Sequence, residues 1–199
     1  KKFIVLCFIR GQCFLFMNFF YFIAINNMDF ATASTLTFSA TFFIVILSIF
    51  FLNDKVGIYR WSAVIIGFAG VAMIMKPTSD VFSYYSIYPV MVALLYSIAI
   101  IILKFIPKHN STAKIQFYSL ISSIIGAIVL WAITFDTKFI QSYKDLLMLV
   151  SIGILGGSAG ILFIYSYRLI EASKLAVFEY LAIPSSFFLG WLFFDEAPI

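Results

Sequence analysis

Residues Ala31–Leu52 read ATASTLTFSATFFIVILSIFFL, twenty-two positions without a charged side chain, set between Asp29 and Asn53-Asp54-Lys55. At 1.5 Å per residue such a run spans the ~30 Å hydrocarbon layer of a bilayer as a helix. It is continuously apolar rather than alternating, and it is twice the length of a barrel strand. Backbone groups in hydrocarbon must be satisfied within their own segment, so the run is read as a membrane helix. Its polar content is all hydroxyl: Ser34, Thr37 and Thr41 share one helix face, and Thr35 and Ser39 share a second.

Six further segments have the same character. Before the Ala31–Leu52 span lies Phe8–Ile25, and after it come Ile58–Met75, Ile87–Phe105, Ile115–Phe135, Leu146–Leu169 and Leu175–Phe194. The expected fold class is therefore an all-α polytopic membrane protein with seven transmembrane helices. Composition agrees: 63% of the 199 residues are apolar and 11% are charged, against about 25% charged in a soluble domain. A soluble globular enzyme is excluded on that ground. A nucleic-acid binder is excluded because the thirteen basic residues are scattered rather than gathered into a stripe.

Charge also sets the orientation. If the start of the chain is cytoplasmic and each span crosses once, ten basic residues fall inside (Lys1, Lys2, Arg10, Lys55, Arg60, Lys104, Lys108, Lys114, Arg168 and Lys174) and three outside (Lys76, Lys138 and Lys144). That is the bias of the positive-inside rule, and it opposes the outside start of a seven-helix receptor. The loops at 76–86 and 136–145 are too short to carry a binding domain, so the activity is expected within the bilayer. Cys7 and Cys13 read as small apolar fillers, and His109 as a solvated loop residue. The apolar start continues past Arg10 without a small-residue cleavage site and is taken as mature chain. No initiator Met is present and the chain stops just past a hydrophobic span, so it reads as part of something longer.

Three stretches resemble the EamA-type drug/metabolite transporter superfamily. They are Ile9-Arg10-Gly11 followed by the hydroxyl-rich start of the Ala31–Leu52 span; Asn53-Asp54-Lys55-Val56-Gly57 with Arg60-Trp61 and Gly67-Phe68-Ala69-Gly70-Val71; and Tyr167-Arg168-Leu169 with Phe178-Glu179-Tyr180 and Gly190 through Glu196. The resemblance implies a ten-helix fold of two inverted five-helix repeats. Residues 1–77 would supply helices three to five and residues 87–199 helices six to nine, leaving helices one, two and ten absent. The Phe-Glu-Tyr form of helix nine resembles a subgroup that includes S-adenosylmethionine- and riboflavin-type uptake carriers. Thr41 stands where the family often has proline, and Asn53 where it often has glycine. A shift of 142 residues superposes Thr37 on Glu179, but the two halves share too few identities to show the repeat internally.

Glu179 is the most informative candidate. A carboxyl inside a span costs about 2.5–3.5 kcal/mol on insertion scales. Facing a polar cavity, it could bind a cationic group or carry a coupling proton; reaching the surface, it would pair with Lys174 or Arg168. Pro184 removes the helical partner of the Tyr180 carbonyl, which suits either a cavity wall or a plain kink. Thr37, Ser39 and Ser34 are hydrogen-bonding candidates on the face turned to the bundle, against simple helix packing. Arg10 either snorkels to the headgroups, answers Glu179, or holds an anionic solute. Asn18 and Gln116 are inward-facing candidates. Gly153 with Gly157, and Gly156 with Gly160, form small-xxx-small pairs for close helix approach, compatible with a sliding seam or a homodimer.

No catalytic constellation, nucleotide loop, metal cluster or cofactor motif is present in the sequence. The expected function is a secondary, not ATP-driven, transporter of small organic metabolites. It would act by alternating access in a bacterial inner membrane, with a proton as the coupling ion if one is used. The partners expected are a small solute and the bilayer, not nucleic acid. The rival from another class is a membrane-embedded enzyme on lipid-linked substrates, which would need an acidic or histidine cluster at one interface; Asp29, Asp80, Asp136, Asp145, Asp195 and Glu196 are spread over separate loops, and three of them brought together around a metal would revive it. A third reading is a helical scaffold without a transport path.

Overall fold

The computed structural model describes residues 2–28, 30–75, 83–134, 143–182 and 184–185. Within them every regular element is helical: α1 (Lys2–Asn27), α2 (Phe30–Thr37), α3 (Ala40–Leu52), α4 (Ile58–Met75), α5 (Ile87–Phe105), α6 (Thr112–Thr134), α7 (Tyr143–Leu169) and α8 (Ala172–Ala176), with 3₁₀ turns at Tyr84–Ser86 and Val177–Leu181. Five segments are long and apolar enough to cross a membrane: Lys2–Asn27, Thr32–Leu52, Tyr84–Phe105, Thr112–Ile133 and Leu146–Leu169. The apolar part of α4, Ile58–Met73, is shorter. The chain is a multi-pass helical membrane protein.

The expected Ala31–Leu52 span is present but broken. After α2 the backbone tightens at Phe38-Ser39: the Ser39 N–H bonds Leu36 O at 3.1 Å, and the Phe42 N–H bonds Ser39 O at 2.9 Å. Just before the break, the Thr37 hydroxyl donates back to Ala33 O at 2.9 Å. Back-bonding by Ser and Thr competes with the helical ladder, so the break comes without the proline whose place Thr41 takes. At the other end Asn53 closes α3 in the left-handed conformation (φ 54°), donating its N–H to Ser48 O. Asn tolerates this conformation almost as glycine does, which accounts for it in glycine's place.

The expected final span differs more. Instead of one helix from Leu175, α8 ends at Ala176 and a 3₁₀ turn carries the chain to Leu181. Residues 186–199 lie outside the described residues, and with them Asp195, Glu196 and Gly190. Asp29, Asp80, Asp136, Lys76 and Lys138 also lie outside, as does the Asp145 side chain.

α5 is the central helix, packed by α1, α2, α3 and α7, while α6 lies along the other side of α1. The main core gathers Cys7, Ile44, Ile100, Leu103, Ile115, Ile164 and Tyr167, from five of these helices. The α1–α6 seam is polar and close. Gln12 Nε2 donates to Ser122 O at 2.7 Å, Ser122 Oγ to Phe8 O at 2.8 Å and Ser123 Oγ to Gly11 O at 2.7 Å. A side chain at Gly11 would have no room, since its Cβ would lie 2.7 Å from Ser122 Cβ and closer still to the Ser119 carbonyl oxygen. In a bilayer small residues and hydroxyls take over the role that apolar burial has in water.

One end of the bundle collects charge. Arg60 pairs with Glu171 at 2.9 Å and Glu171 with Lys174 at 3.0 Å. Ser173 links the two sides, accepting from Arg60 Nη1 at 2.9 Å and donating to Asp54 Oδ2 at 3.1 Å. Arg168 donates to the carbonyls of Pro107, Lys108 and Asn110 and to Thr112 Oγ1, fastening the α5–α6 turn to the end of α7.

Candidate functional site

The 3₁₀ turn after α8 sets Glu179 against α5 and α7. Its Oε1 accepts the Tyr96 hydroxyl at 2.9 Å and also the Tyr167 hydroxyl. Tyr167 is fully buried, and its ring packs on Phe163 at 4.7 Å between centroids, which in turn meets Tyr96 at 6.0 Å. Aromatic packing therefore fixes two hydroxyls on one carboxyl oxygen. No described residue bonds Oε2. The surface alternative does not hold, because Lys174 is paired with Glu171 and Arg168 is spent on the α5–α6 turn.

Glu179 lines a cleft of about 620 Å³ with Asn18, Ser34, Thr37 and Tyr96. Ser34 Oγ lies 3.5 Å from the Tyr21 hydroxyl, and Tyr21 is on the same wall. Ser39 is not on this wall; its Oγ is buried without a hydrogen-bond partner among the described residues, at the break between α2 and α3. A second cleft of about 620 Å³ lies between α1, α6 and α7 and is lined by Arg10, Gln116, Gly156 and Gly160. Asn18 and Tyr96 line both clefts.

Arg10 is 2% exposed, so it does not snorkel. Its Nη1 donates to Ser119 Oγ at 3.1 Å, and its guanidinium sits 4.7 Å from the Phe14 ring centroid. It makes no ion pair with Glu179; Tyr96 stands in the walls of both their clefts. Asn18 bonds Phe14 O at 2.7 Å through Nδ2.

The mechanical candidates fare differently. Gly160 is close to the Gln116 side chain, whose Nε2 would lie 2.6 Å from an added Cβ. At Gly153, Gly156 and Gly157 an added Cβ meets nothing within 4 Å among the described residues. The expected close approach along this face is thus found only at Gly160. Pro184 is helical and exposed. The Tyr180 carbonyl is not left free, because the Ala182 N–H donates to it and to Glu179 O within the 3₁₀ turn.

Tyr96 and the Ser119/Ser122/Ser123 set were not singled out from the sequence, and Tyr167 was noted only within the Tyr167-Arg168-Leu169 stretch, not as a partner of Glu179. The serines could have been: they fall at i, i+3 and i+4 on one face of a span. Tyr96 carries no such signal among 36 Phe and Tyr residues. Among the described residues no group of three His, Cys, Asp or Glu side chains is placed to hold a metal ion. The site can accept a hydrogen bond or a cation at Glu179 and donate hydrogen bonds from Arg10, across two adjoining clefts.

The sequence profile of the EamA-like transporter family matches residues 1–76 and 84–198. The chain is 28% identical over 167 residues to the S-adenosylmethionine uptake transporter of Rickettsia bellii, covering 84% of this chain and 56% of that one. It is 29% identical over 168 residues to the riboflavin transporter of Rhizobium johnstonii, covering 83% and 54%. Against a pseudopaline exporter of Pseudomonas aeruginosa it is 27% identical over 183 residues, covering 89% and 62%. It therefore spans little more than half the length of these curated relatives. A crystal structure at 20% identity superposes with a TM-score of 0.79, covering 96% of this chain and 69% of the other, and so shares its fold. The chain belongs to the EamA-like transporter family.

Proposed function

We propose that this member of the EamA-like transporter family forms the greater part of a secondary carrier for small organic metabolites, with Glu179 as its cation-binding or proton-carrying group. The observation that carries this reading is a carboxyl set among membrane helices with no cation on it among the described residues, held by two tyrosine hydroxyls and open to a cleft of about 620 Å³. An ionisable group in such a place marks a solute or proton path by default. The cleft volume is that of small-molecule sites. The names of the relatives, two uptake carriers and one exporter, support metabolite transport without fixing its direction.

Residues 1–77 and 87–199 belong, in this reading, to two inverted repeats that rock about the clefts between them. The charged end of the bundle faces the cytoplasm of a bacterial cell, with the chain start on that side. Thr37 and Ser34 are hydrogen-bond partners for the solute, and the polar links from Arg60 and Asp54 to Glu171 and Ser173 are the contacts that part when that side opens. No phosphate-binding loop is present in the sequence, so the driving force is a gradient rather than ATP.

The test uses the protein from its complete gene, reconstituted in proteoliposomes and supplied with radiolabelled S-adenosylmethionine or riboflavin. Glu179→Gln is expected to abolish flux and its response to a pH gradient. Wild-type flux and pH response in Glu179→Gln, at normal expression, would overturn the assignment.

A further inference from the structure

Glu179 and Tyr180 are neighbours in the chain but are held by different parts of the bundle. The segment Val177–Leu181 is a 3₁₀ turn, and with three residues per turn its successive side chains point about a third of a circle apart. Glu179 is directed to Tyr96 on α5 and Tyr167 on α7. Tyr180 is directed to α4. Its ring lies over Gly67, where an added Cβ would stand 2.5 Å from Cε2 and closer still to Cδ2. Its hydroxyl donates to Val64 O at 3.3 Å, and its ring meets that of Phe38 at 6.1 Å between centroids. The side chain that Gly67 lacks is thus a notch in α4, filled by a ring held from two sides.

Among the described elements α4 packs mainly on this turn and on α2. Its first turn carries Arg60, which pairs with Glu171 at 2.9 Å and donates to Ser173 Oγ at 2.9 Å. One stretch of chain, 171–180, therefore meets α4 at two places: Glu171 and Ser173 on Arg60, and Tyr180 on Val64 and Gly67. Along the helix the two places are about 6–10 Å apart, at 1.5 Å per residue. Beside the inner one is the carboxyl that faces the cleft; at the outer one are the ion pairs of the charged end.

We infer that Tyr180 is a positioning residue that couples Glu179 to the Arg60–Glu171 ion pair through α4. A cation or a proton at Glu179 takes charge from the hydrogen bonds of Tyr96 and Tyr167 and weakens them, so the 3₁₀ turn re-seats. A ring wedged in a notch cannot shift without moving the helix that forms the notch, because packed interfaces switch between arrangements rather than deform. α4 moves with the turn and draws Arg60 off Glu171 and Ser173. The ring supplies the grip, and the single bond to Val64 O only aligns it. This rests on the carrier reading above and adds how occupancy of the cleft is felt at the charged end.

The test is a double-mutant cycle on the complete purified protein at neutral pH. Spin labels at Tyr59→Cys and Ile170→Cys flank the ion pairs, and Glu171→Gln, which breaks those pairs directly, calibrates the open distance. Glu179→Gln is expected to raise the ratio of open to closed molecules by about five-fold or more. In Gly67→Ala, which denies the ring its notch, or Tyr180→Leu, which removes it, the same Glu179→Gln change should move the ratio by less than about two-fold, as independent sites do. Tyr180→Phe keeps the ring and retains the response. A merely structural Tyr180 would lower Tm in these variants and leave the response to Glu179→Gln intact. If Gly67→Ala does not fold, Tyr180→Leu and Tyr180→Phe decide. Labels that do not respond to Glu179→Gln, or that respond equally with the ring displaced or removed, overturn the coupling. Flux lost in Glu179→Gln alongside either result would leave the carrier reading standing, whereas wild-type flux in Glu179→Gln would remove that reading and this inference with it.

Discussion

The α1–α6 seam gives a prediction whose sign is decided by magnitudes. Gly11→Ala adds one methyl group where Ser119 O and Ser122 Cβ already stand. In a helix interior, alanine is favoured over glycine by about 0.5–1 kcal/mol, so propensity alone predicts stabilisation. The obstacle is backbone, not a side chain that can swing away, so the two helices must separate. Overpacking of that kind costs about 1–3 kcal/mol. Separation also stretches the Gln12, Ser122 and Ser123 bonds across the seam, each worth about 0.5–1.5 kcal/mol. Taking the middle of each range and the loss of one bond, the net effect is destabilisation by about 2 kcal/mol. For a chain of this size that lowers Tm by roughly 4–8 °C. Gly126→Ala is the control in the same seam. Its added Cβ would meet the ends of the Leu15 and Gln12 side chains; Leu15 can rotate, and shifting Gln12 off Ser122 costs about 0.5–1.5 kcal/mol, which alanine's helix preference of about 0.5–1 kcal/mol largely offsets, so its Tm should stay within about 3 °C of wild type. Thermal unfolding of the purified full-length protein in detergent reads both. A Gly11→Ala protein melting at or above wild type, or a Gly126→Ala protein falling as far as Gly11→Ala, refutes the reasoning.

Three further outcomes follow from other contacts. Tyr167→Phe keeps the ring against Phe163 but removes one hydroxyl from Glu179; a hydrogen bond to a charged group is worth about 1.5–3 kcal/mol, so solute flux should fall about ten-fold or more, with a stability loss no larger than that one bond. Flux equal to wild type would sink that role. Arg168→Gln frees the carbonyls of Pro107, Lys108 and Asn110 together, and unfolding should show a loss of about 1–3 kcal/mol, against no change if the turn holds itself. The Lys174 ammonium bonded to Glu171, with Arg60 beside it, holds that carboxyl below the usual carboxylate range. A lowered folded pKa means that the contact stabilises above the unfolded value, about 4.3, and is lost as pH falls through the folded one. Spin labels at Tyr59→Cys and Ile170→Cys should therefore give one narrow distance from pH 7 to 5 and a broadened one below about pH 4. Glu171→Gln should broaden it already at pH 7, and a narrow distance there would show that the ion pairs do not hold the loops.

The membrane class and the positions of most helices were legible because they follow from one-dimensional quantities, length and hydropathy, that do not depend on neighbours. Glu179 was legible for a related reason: a charge in a hydrocarbon-length run stands out whatever surrounds it. What could not be read was pairing. Lys174 and Arg168 were equally plausible partners for Glu179 by spacing, and the structure gives both to other groups while assigning Tyr96, eighty-three positions away, to the carboxylate. Arg10 shows the same limit from the other side. Its position at the mouth of an apolar span suggests snorkelling, but the guanidinium is buried and turned to Ser119 on α6 and the Phe14 ring. The break at Phe38-Ser39 lies between these cases. The density of hydroxyls in Ser34–Thr41 was visible, and hydroxyls bend helices by bonding back onto the preceding turn. Whether they do so depends on competing partners, and here Thr37 finds none better than Ala33 O. Thr37 lies on the wall shared with Glu179, and Ser39 does not. Two hydroxyls two residues apart thus separate into one that faces the cleft and one that does not, the division that helical periodicity had already drawn by setting Thr35 and Ser39 on a second face.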